Sequence, residues 1–432
     1  MASTYLTRTP SSSGNRKTWT LSMWVKRSND NYSQLSGTGT GSTYFIIGFG
    51  DTQPRILQSA NAGESVEVQI NNKCRDVNGY YHLVFRVDTT QATASDRIRI
   101  YINGEEGTYS QTDYPSQNLD MYYNYNIVHG IGARGDGDAK FEGIMSHVHF
   151  SDGYSYDAST FGETDATTGE WKIKTNPTFT LGNNGFTILK DGNTYTDQSS
   201  NSNNFTLSGT LTKTEDCPSN VFATLNPLIA TASGFSNSNT TFTNSDSTHK
   251  FAGTTLGVKN GKYYFEAKCT TRGSAAGATK VGVVRVDDDL YGTSNFNVGD
   301  KTLAFVFNAQ AEKQTGGAGS SYGTSYTDGD IIGVAVDMDN HNLYFHKNGT
   351  YQNSGVPTSG STGTGAISLT SGDFYMPCLG GYGGTVWNLN FGNGYFGTTA
   401  VSSAGTNASG IGIFEYDVPT GYTALSTKGL NE

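Results

Sequence analysis

The chain has 432 residues, enough for two or three domains that each bury a core, and a formal net charge of -10 with only 15% charged residues. That acidic balance argues against a nucleic-acid partner, which needs a basic surface to displace counterions, and no apolar run approaches the roughly 20 residues that cross a bilayer as a helix. With 55 Gly, 26 Tyr and 22 Phe, strand and turn formers outweigh helix formers and the expected fold class is all-β.

The opening MASTYLTRTPSSSGNRK lacks the apolar core of a secretory signal, so the chain is expected to be made in a cytoplasm without a signal peptide. Residues 18–26 (TWTLSMWVK) alternate Trp19, Leu21, Met23 and Val25 onto one face, the pattern of a half-buried antiparallel strand. Further strands are expected at 44–49, 66–70, 81–88, 97–102 and 141–150, separated by Gly/Ser/Asn clusters such as 36–42 and 130–138. Residues 154–180 read as a polar loop with one helical turn near 157–161, before strand character returns at 185–189 and 204–211. Many strands at short spacing indicate a sandwich or jelly roll. The polar, proline-containing run 212–218 (TKTEDCP) marks a domain junction between about 211 and 228.

In the second half, 261–268 (GKYYFEAK) reads as a strand, and 329–349 (GDIIGVAVDMDNHNLYFHKNG) specifies a hairpin. Ile332, Val334, Val336 and Met338 share a face, Asp339 to Asn342 supply turn chemistry, and Leu343 and Phe345 resume the apolar face. With 374–391 (FYMPCLGGYGGTVWNLNF), these segments resemble the SPRY domain, which implies a β-sandwich that binds other molecules. Residues 19–26 and 141–144 (FEGI) are similar to core strands of concanavalin A-like, laminin G-type jelly rolls. Residues 5–28, 161–171, 197–206, 217–227 and 419–430 together resemble structural proteins of tailed phages, especially marine ones, in which a laminin G-like domain precedes a SPRY domain. That resemblance implies a virion component: a tail fibre, host-adhesion or capsid-associated protein.

Chemistry-bearing motifs are sparse. Glu163, Asp165 and Glu170 are spaced too far apart, in a Gly/Thr-rich loop, for the carboxylate pair of a retaining glycosidase. Gly319 to Gly323 (GSSYG) matches a nucleophile elbow around Ser321 but lacks the strand and helix that such a serine requires, and the GTGTG of 37–41 lacks a following helix to hold phosphate. His147 and His149 are expected on the polar face of a strand, without a third metal ligand. Cys74, Cys217, Cys269 and Cys378 have neither zinc-site nor disulfide-framework spacing and read as free thiols. Asp136 and Asp138, beside the Arg134-Gly135-Asp136 tripeptide, are candidate calcium ligands, and Asp287 to Asp289 are a weaker candidate. Tyr122, Tyr123, Tyr125, Tyr322 and Tyr326, set among Asn and Ser, are the candidate ligand-binding residues, because aromatic faces beside hydrogen-bonding groups hold sugar rings and build adaptable protein interfaces.

The sequence therefore leads to an all-β chain: a laminin G/concanavalin A-like jelly roll over 1–215, a SPRY-like sandwich over 216–395 and a C-terminal tail over 396–432. No catalytic residue and no cofactor is expected, with calcium as the one candidate ion. The expected role is recognition by a phage appendage contacting a host surface glycan or protein, with other virion proteins as partners. A homo-oligomer, most simply a trimer, is expected. A capsid decoration or assembly protein is the alternative; a polysaccharide-degrading enzyme is a remote one.

Overall fold

The computed structural model describes residues 4–231, 234–286, 290 and 295–431. Strand makes up 41% of the chain and helix 8%, so the protein is all-β. Among the described residues, the helical ones lie in short 3-10 turns, none longer than the six residues of Pro357–Thr362. The chain divides into two units that part between Lys213 and Thr214.

In the first unit, Thr18–Arg27 lies at the centre of a six-stranded sheet between Tyr81–Asp88 and Gly143–Asp152. Trp19, Leu21 and Met23 pair across from Val87, Phe85 and Leu83, and this face packs on Phe45, Ile47, Phe49 and Ile56 of an eight-stranded sheet. The strand is not half-buried, because its other face is covered as well: Thr20, Ser22, Trp24 and Lys26 are all buried. The cover is the segment expected to be a loop, residues 154–180. Tyr156, Phe161, Trp171 and Phe179 pack there on Val84 and Tyr101, and Gly162–Thr164 pairs with Trp171–Ile173 as a small hairpin.

Covering that face buries two histidines. His82 lies between Trp24 and Trp171, with ring centroids 4.7 and 5.9 Å away. The Trp171 indole, which can only donate, gives its N–H to His82 Nδ1 at 3.0 Å, so the ring proton sits on Nε2 and is donated to Ser22 Oγ at 2.9 Å. His149 lies flat on Phe161 at 5.7 Å and bonds Thr187 Oγ1 at 3.0 Å, and His147, at φ +50° beside a register shift, bonds Ser146 Oγ. The polar-face placement expected for His147 and His149 is corrected: both are buried, His149 beneath the added layer.

A second expectation also changes. The glycine cluster at 36–42 is largely strand, Ser33–Thr40, paired with Thr43–Gly50. At Gly37 an added Cβ would meet the Phe45 carbonyl oxygen at 2.8 Å, and Gly39 has φ +92°, so the glycines permit a close, irregular pairing.

The second unit stacks a nine-stranded sheet on a six-stranded one. The hairpin of Ile331–Asp337 and Asn342–Lys347 sets Val334 opposite Phe345 and Val336 opposite Leu343, facing the inner core with Phe307 and Trp387. The outer face of this sheet carries His346 from the hairpin and Tyr264 and Glu266 from the adjoining strand Lys262–Thr271. Gly333 leaves room for the imidazole, since a Cβ there would lie 1.9 Å from His346 Nε2. Residues 396–432, read as a tail, include part of the core. Phe414 packs edge-on to Tyr264 at 5.0 Å, Thr423–Ala424 pairs in parallel with Lys262–Thr271, and Val418, Tyr422 and Leu425 are buried.

Glu266 fastens this cover. Its two oxygens accept from the Glu415 and Tyr416 backbone N–H groups, both at 2.9 Å, from Tyr264 Oη at 3.0 Å and from Asn390 Nδ2 at 3.2 Å. Gly349 N–H donates to His346 Nδ1, so Nε2–H faces Tyr264 Oη at 2.7 Å and the tyrosine proton is directed to Glu266. Among the free thiols, Cys74, Cys269 and Cys378 are buried and Cys217 is partly exposed; burial pushes Cys74 and Cys269 up to about 12.

Two predictions come from these buried groups. Burial pushes His82 and His149 down to about 3 and His129 down to about 4, against an ordinary value of 6.5. Between those limits the unfolded chain binds more protons than the folded one, so the first unit holds its full stability above pH 6.5 and loses it as pH falls toward 4. In the second unit His346, lowered to about 4, acts in the same sense, while burial raises Glu266 to about 7 against the pull of its donors, a contribution lost as pH rises from 4.5 to 7. Three of the four tryptophans lie in the first unit, so thermal melting followed by tryptophan fluorescence should show a midpoint falling steadily from pH 7 to 4.5; a flat profile would contradict the buried neutral histidines. Glu266→Gln puts an amide N–H against donors and should lower the second unit's stability by about 2–4 kcal/mol in urea denaturation, and a change under about 0.5 kcal/mol would show that this carboxylate does not hold the cover.

Candidate binding site

The tyrosine-rich run of 120–128 is not a strand but a loop of turns between Tyr109–Asp113 and His129–Ile131. It reverses at Asn124, whose φ of +61° is a conformation that asparagine tolerates better than most residues. The reversal sends neighbouring tyrosines to opposite sides. Tyr123 turns inward, 2% exposed, between Trp19 at 4.9 Å and Phe45 at 5.2 Å, with its hydroxyl 2.7 Å from Ser36 Oγ. Burial pushes its phenol up to about 12, so it is a neutral packing residue. Tyr125 turns outward, 39% exposed, 6.0 Å from the half-buried Tyr122, and the Arg16 guanidinium lies 4.6 Å above its ring.

Fixed polar contacts anchor the loop. Arg16 donates to the Met121 carbonyl at 2.6 Å and the Asp120 carbonyl at 3.0 Å, and Gly14 N–H donates to Asn124 O. Asp152 gathers the surrounding segments, accepting from Asn15 N–H and Asn124 Nδ2, both at 2.7 Å, and from Asn184 N–H at 3.0 Å. Asn124 N–H donates to His129 Nε2 at 3.0 Å. A rigid platform of two tyrosines and an arginine results, with a small cleft on the inner side of the same loop lined by Tyr123, Asn124 and His129.

The other candidates are placed differently. Tyr322 and Tyr326 are core residues, 4% and 1% exposed. Tyr322 packs on Phe307 and Phe345, and Tyr326 donates its hydroxyl to the Thr279 carbonyl at 2.8 Å. Aromatic residues beside a Gly/Ser-rich stretch close a sandwich core as readily as they line a binding surface, so the ligand-binding expectation for Tyr322 and Tyr326 is corrected; that for Tyr123 is corrected to a packing ring that reaches only the wall of the small cleft. Asp136 is held by Arg134 through two hydrogen bonds of 2.8 and 2.7 Å, with Asp138 at 3.3 Å from the same guanidinium. Arg134 holds Asp136 below the usual carboxylate range, and its positive charge occupies the place where a calcium ion was expected. Asp287 to Asp289 lie outside the described residues. Among the described residues no cluster of three or more His, Cys, Asp and Glu could hold a metal.

Glu163 lies on one strand of the small hairpin, 3.6 Å from Lys172 Nζ, which also lies 3.1 Å from Asp165. Asp165 caps the turn by accepting from Thr167 and Thr168 N–H, and these bonds hold its carboxyl well below the usual range. Ser321 ends the exposed strand Ala318–Ser321 with no helix after it. The sequence reading missed Arg16 and Asp152. Only a fold that joins 14–16 to 120–126 and 184 gives those residues a role.

A model of the concanavalin A-like lectin/glucanases superfamily, of laminin G type, matches residues 2–159, and a SPRY-domain model matches residues 262–372. The chain thus carries a concanavalin A-like domain followed by a SPRY domain. Among solved structures it is similar to the SPRY domain of human HERC1, at 18% identity and a TM-score of 0.30, covering 38% of this chain and 96% of that one. It is also similar to a human SPRY domain at 17% identity and a TM-score of 0.26, covering 35% and 90%. Scores that low support nothing beyond the domain matches. No curated protein matches the chain.

The opposite orientations of the two tyrosines can be measured. Tyr123→Ala should destabilise the first unit by about 3–5 kcal/mol in chemical denaturation, as loss of a buried ring does, while Tyr125→Ala should stay within about 0.5 kcal/mol of the parent. Equal effects would contradict the reversal at Asn124.

Proposed function

We propose that this chain is a non-enzymatic recognition protein of a tailed-phage particle, binding a host surface glycan through the loop end of its concanavalin A-like unit. The observation that carries the reading is the Tyr122–Tyr125–Arg16 platform: two aromatic rings and a cation held outward by hydrogen bonds to backbone and side chains. Aromatic faces stack on the apolar side of sugar rings, and Arg and Asn groups at their edge bond hydroxyls. The phage origin rests on the sequence segments that resemble virion proteins. On a particle the chain is presented in several copies beside other virion proteins, so that weak single contacts add through high effective concentration.

Purified protein should compete with the parent phage for adsorption to host cells, and Tyr125→Ala should weaken that competition roughly tenfold or more without shifting the melting midpoint. A protein that ignores host cells but coats isolated capsids would overturn this reading in favour of a decoration role.

A further inference from the structure

The cleft beneath the loop has a chemistry of its own. Its interior takes about 20 Å³, room for one water molecule or a methyl group. The deep walls are apolar: Tyr123, Phe150, Phe186 and Phe205, with Phe186 and Phe205 edge to face at 4.8 Å. Arg8 and Asn184 also line it.

Of the four polar residues in the lining, His129 is engaged by Asn124 N–H and the Ile127 carbonyl, and the Asn124 amide by Asn15, Asp152 and Asn184, so the capacity left is on Arg8 and Asn184. Arg8 is half-buried, and among the described residues its one hydrogen bond goes from Nη2 to Asn203 Oδ1, leaving most of the five guanidinium donors unused. Asn184 donates through Nδ2 to the Ser12 carbonyl and to Asn124 Oδ1, both at 3.0 Å, which fixes its amide orientation. Nothing among the described residues donates to its Oδ1.

Charge narrows the ligand. Asp152 and Asp197 both act on Arg8 electrostatically, and each is held by other donors: Asp152 by Asn15, Asn124 and Asn184, Asp197 by Thr187, Ser199 and Asn203. Two carboxylates against one guanidinium disfavour an anion. The cleft asks for a neutral group with a small apolar end, a strong acceptor for Arg8 and an N–H for Asn184.

We propose that the Arg8 cleft receives the acetamido group of an N-acetylated hexosamine: the methyl sits among the aromatic rings, the carbonyl oxygen accepts from Arg8, and the amide N–H donates to Asn184 Oδ1. The proposal deepens the glycan-binding reading and rests on it. It names a sugar class, with the ring lying outside the mouth.

The full chain should be titrated calorimetrically with N,N′-diacetylchitobiose and with cellobiose, which carries hydroxyls in place of the acetamido groups. The acetylated disaccharide should bind roughly tenfold tighter or more, the discrimination expected when a site built for hydrogen bonding is left unpaired. Saturation-transfer NMR on the unmodified protein should place the strongest signal on the acetyl methyl protons, and Arg8→Met should remove the preference for the acetylated sugar. Equal affinity for the two disaccharides, a signal strongest on ring protons, or no binding of the acetylated one at millimolar concentration would each overturn the proposal. If that happens while Tyr125-dependent binding to host envelope polysaccharide persists, the recognition reading stands and only the acetamido assignment fails; loss of both would overturn both.

Discussion

A buried hydrogen-bonding group must find a partner, and both units are organised by meeting that demand on the outside of a sheet rather than between sheets. A sandwich ordinarily leaves its outer faces to water. Here one outer face in each unit is covered by chain that is mostly not strand, over side chains that are polar or ionisable. In the first unit the cover donates Trp171 Nε1–H to His82, and in the second it donates two backbone N–H groups to Glu266. Direction is specified in each case. An indole can only donate, and the Glu266 oxygens accept from two backbone N–H groups of the cover, so the cover is fixed in register as well as attached.

That arrangement decides where polar and aromatic side chains stay accessible. With broad sheet surfaces occupied, accessible specific chemistry in the first unit shifts to the end of the sandwich, where the 120–128 loop meets residues 11–16. Asp152 is the centre of that end, because its two oxygens bind backbone or side-chain donors of Asn15, Asn124 and Asn184. A platform held this way has little conformational freedom left to lose, which lowers the ordering cost that the proposed recognition would carry.

Much of the architecture was legible in the sequence because it is written in period-2 alternation. Trp19, Leu21, Met23 and Val25, and the hairpin from Ile332 to Phe345, read directly as strands, and they are. What escaped has no periodic signature. Ser33–Thr40 is a strand whose glycines carry no side chain to alternate, and the covers at 154–180 and 413–425 bury residues through contacts set by distant chain. The site was legible only in kind. Tyr122, Tyr123 and Tyr125 look equivalent in sequence; a single positive φ at Asn124 separates the buried Tyr123 from the exposed Tyr125, while Tyr122 stays half-buried. Arg16 and Asp152, ordinary in their local sequence, acquire meaning only from contacts more than a hundred residues away.

The cover of the second unit also bears on the order of events during synthesis. Glu266 receives its backbone donors from residues 149 and 150 positions further along. Until residue 425 has emerged from the ribosome, a carboxylate, a tyrosine and an imidazole on the Lys262–Thr271 and Asn342–Lys347 strands lie open to water, and that face cannot close. The first unit meets no such delay, since the pairing of Tyr5–Arg8 with Thr206–Ser208 completes its eight-stranded sheet within its own length. The nascent chain can therefore carry a finished concanavalin A-like domain ahead of a long, half-roofed intermediate, and an interruption in that interval exposes the second unit to misassembly while sparing the first.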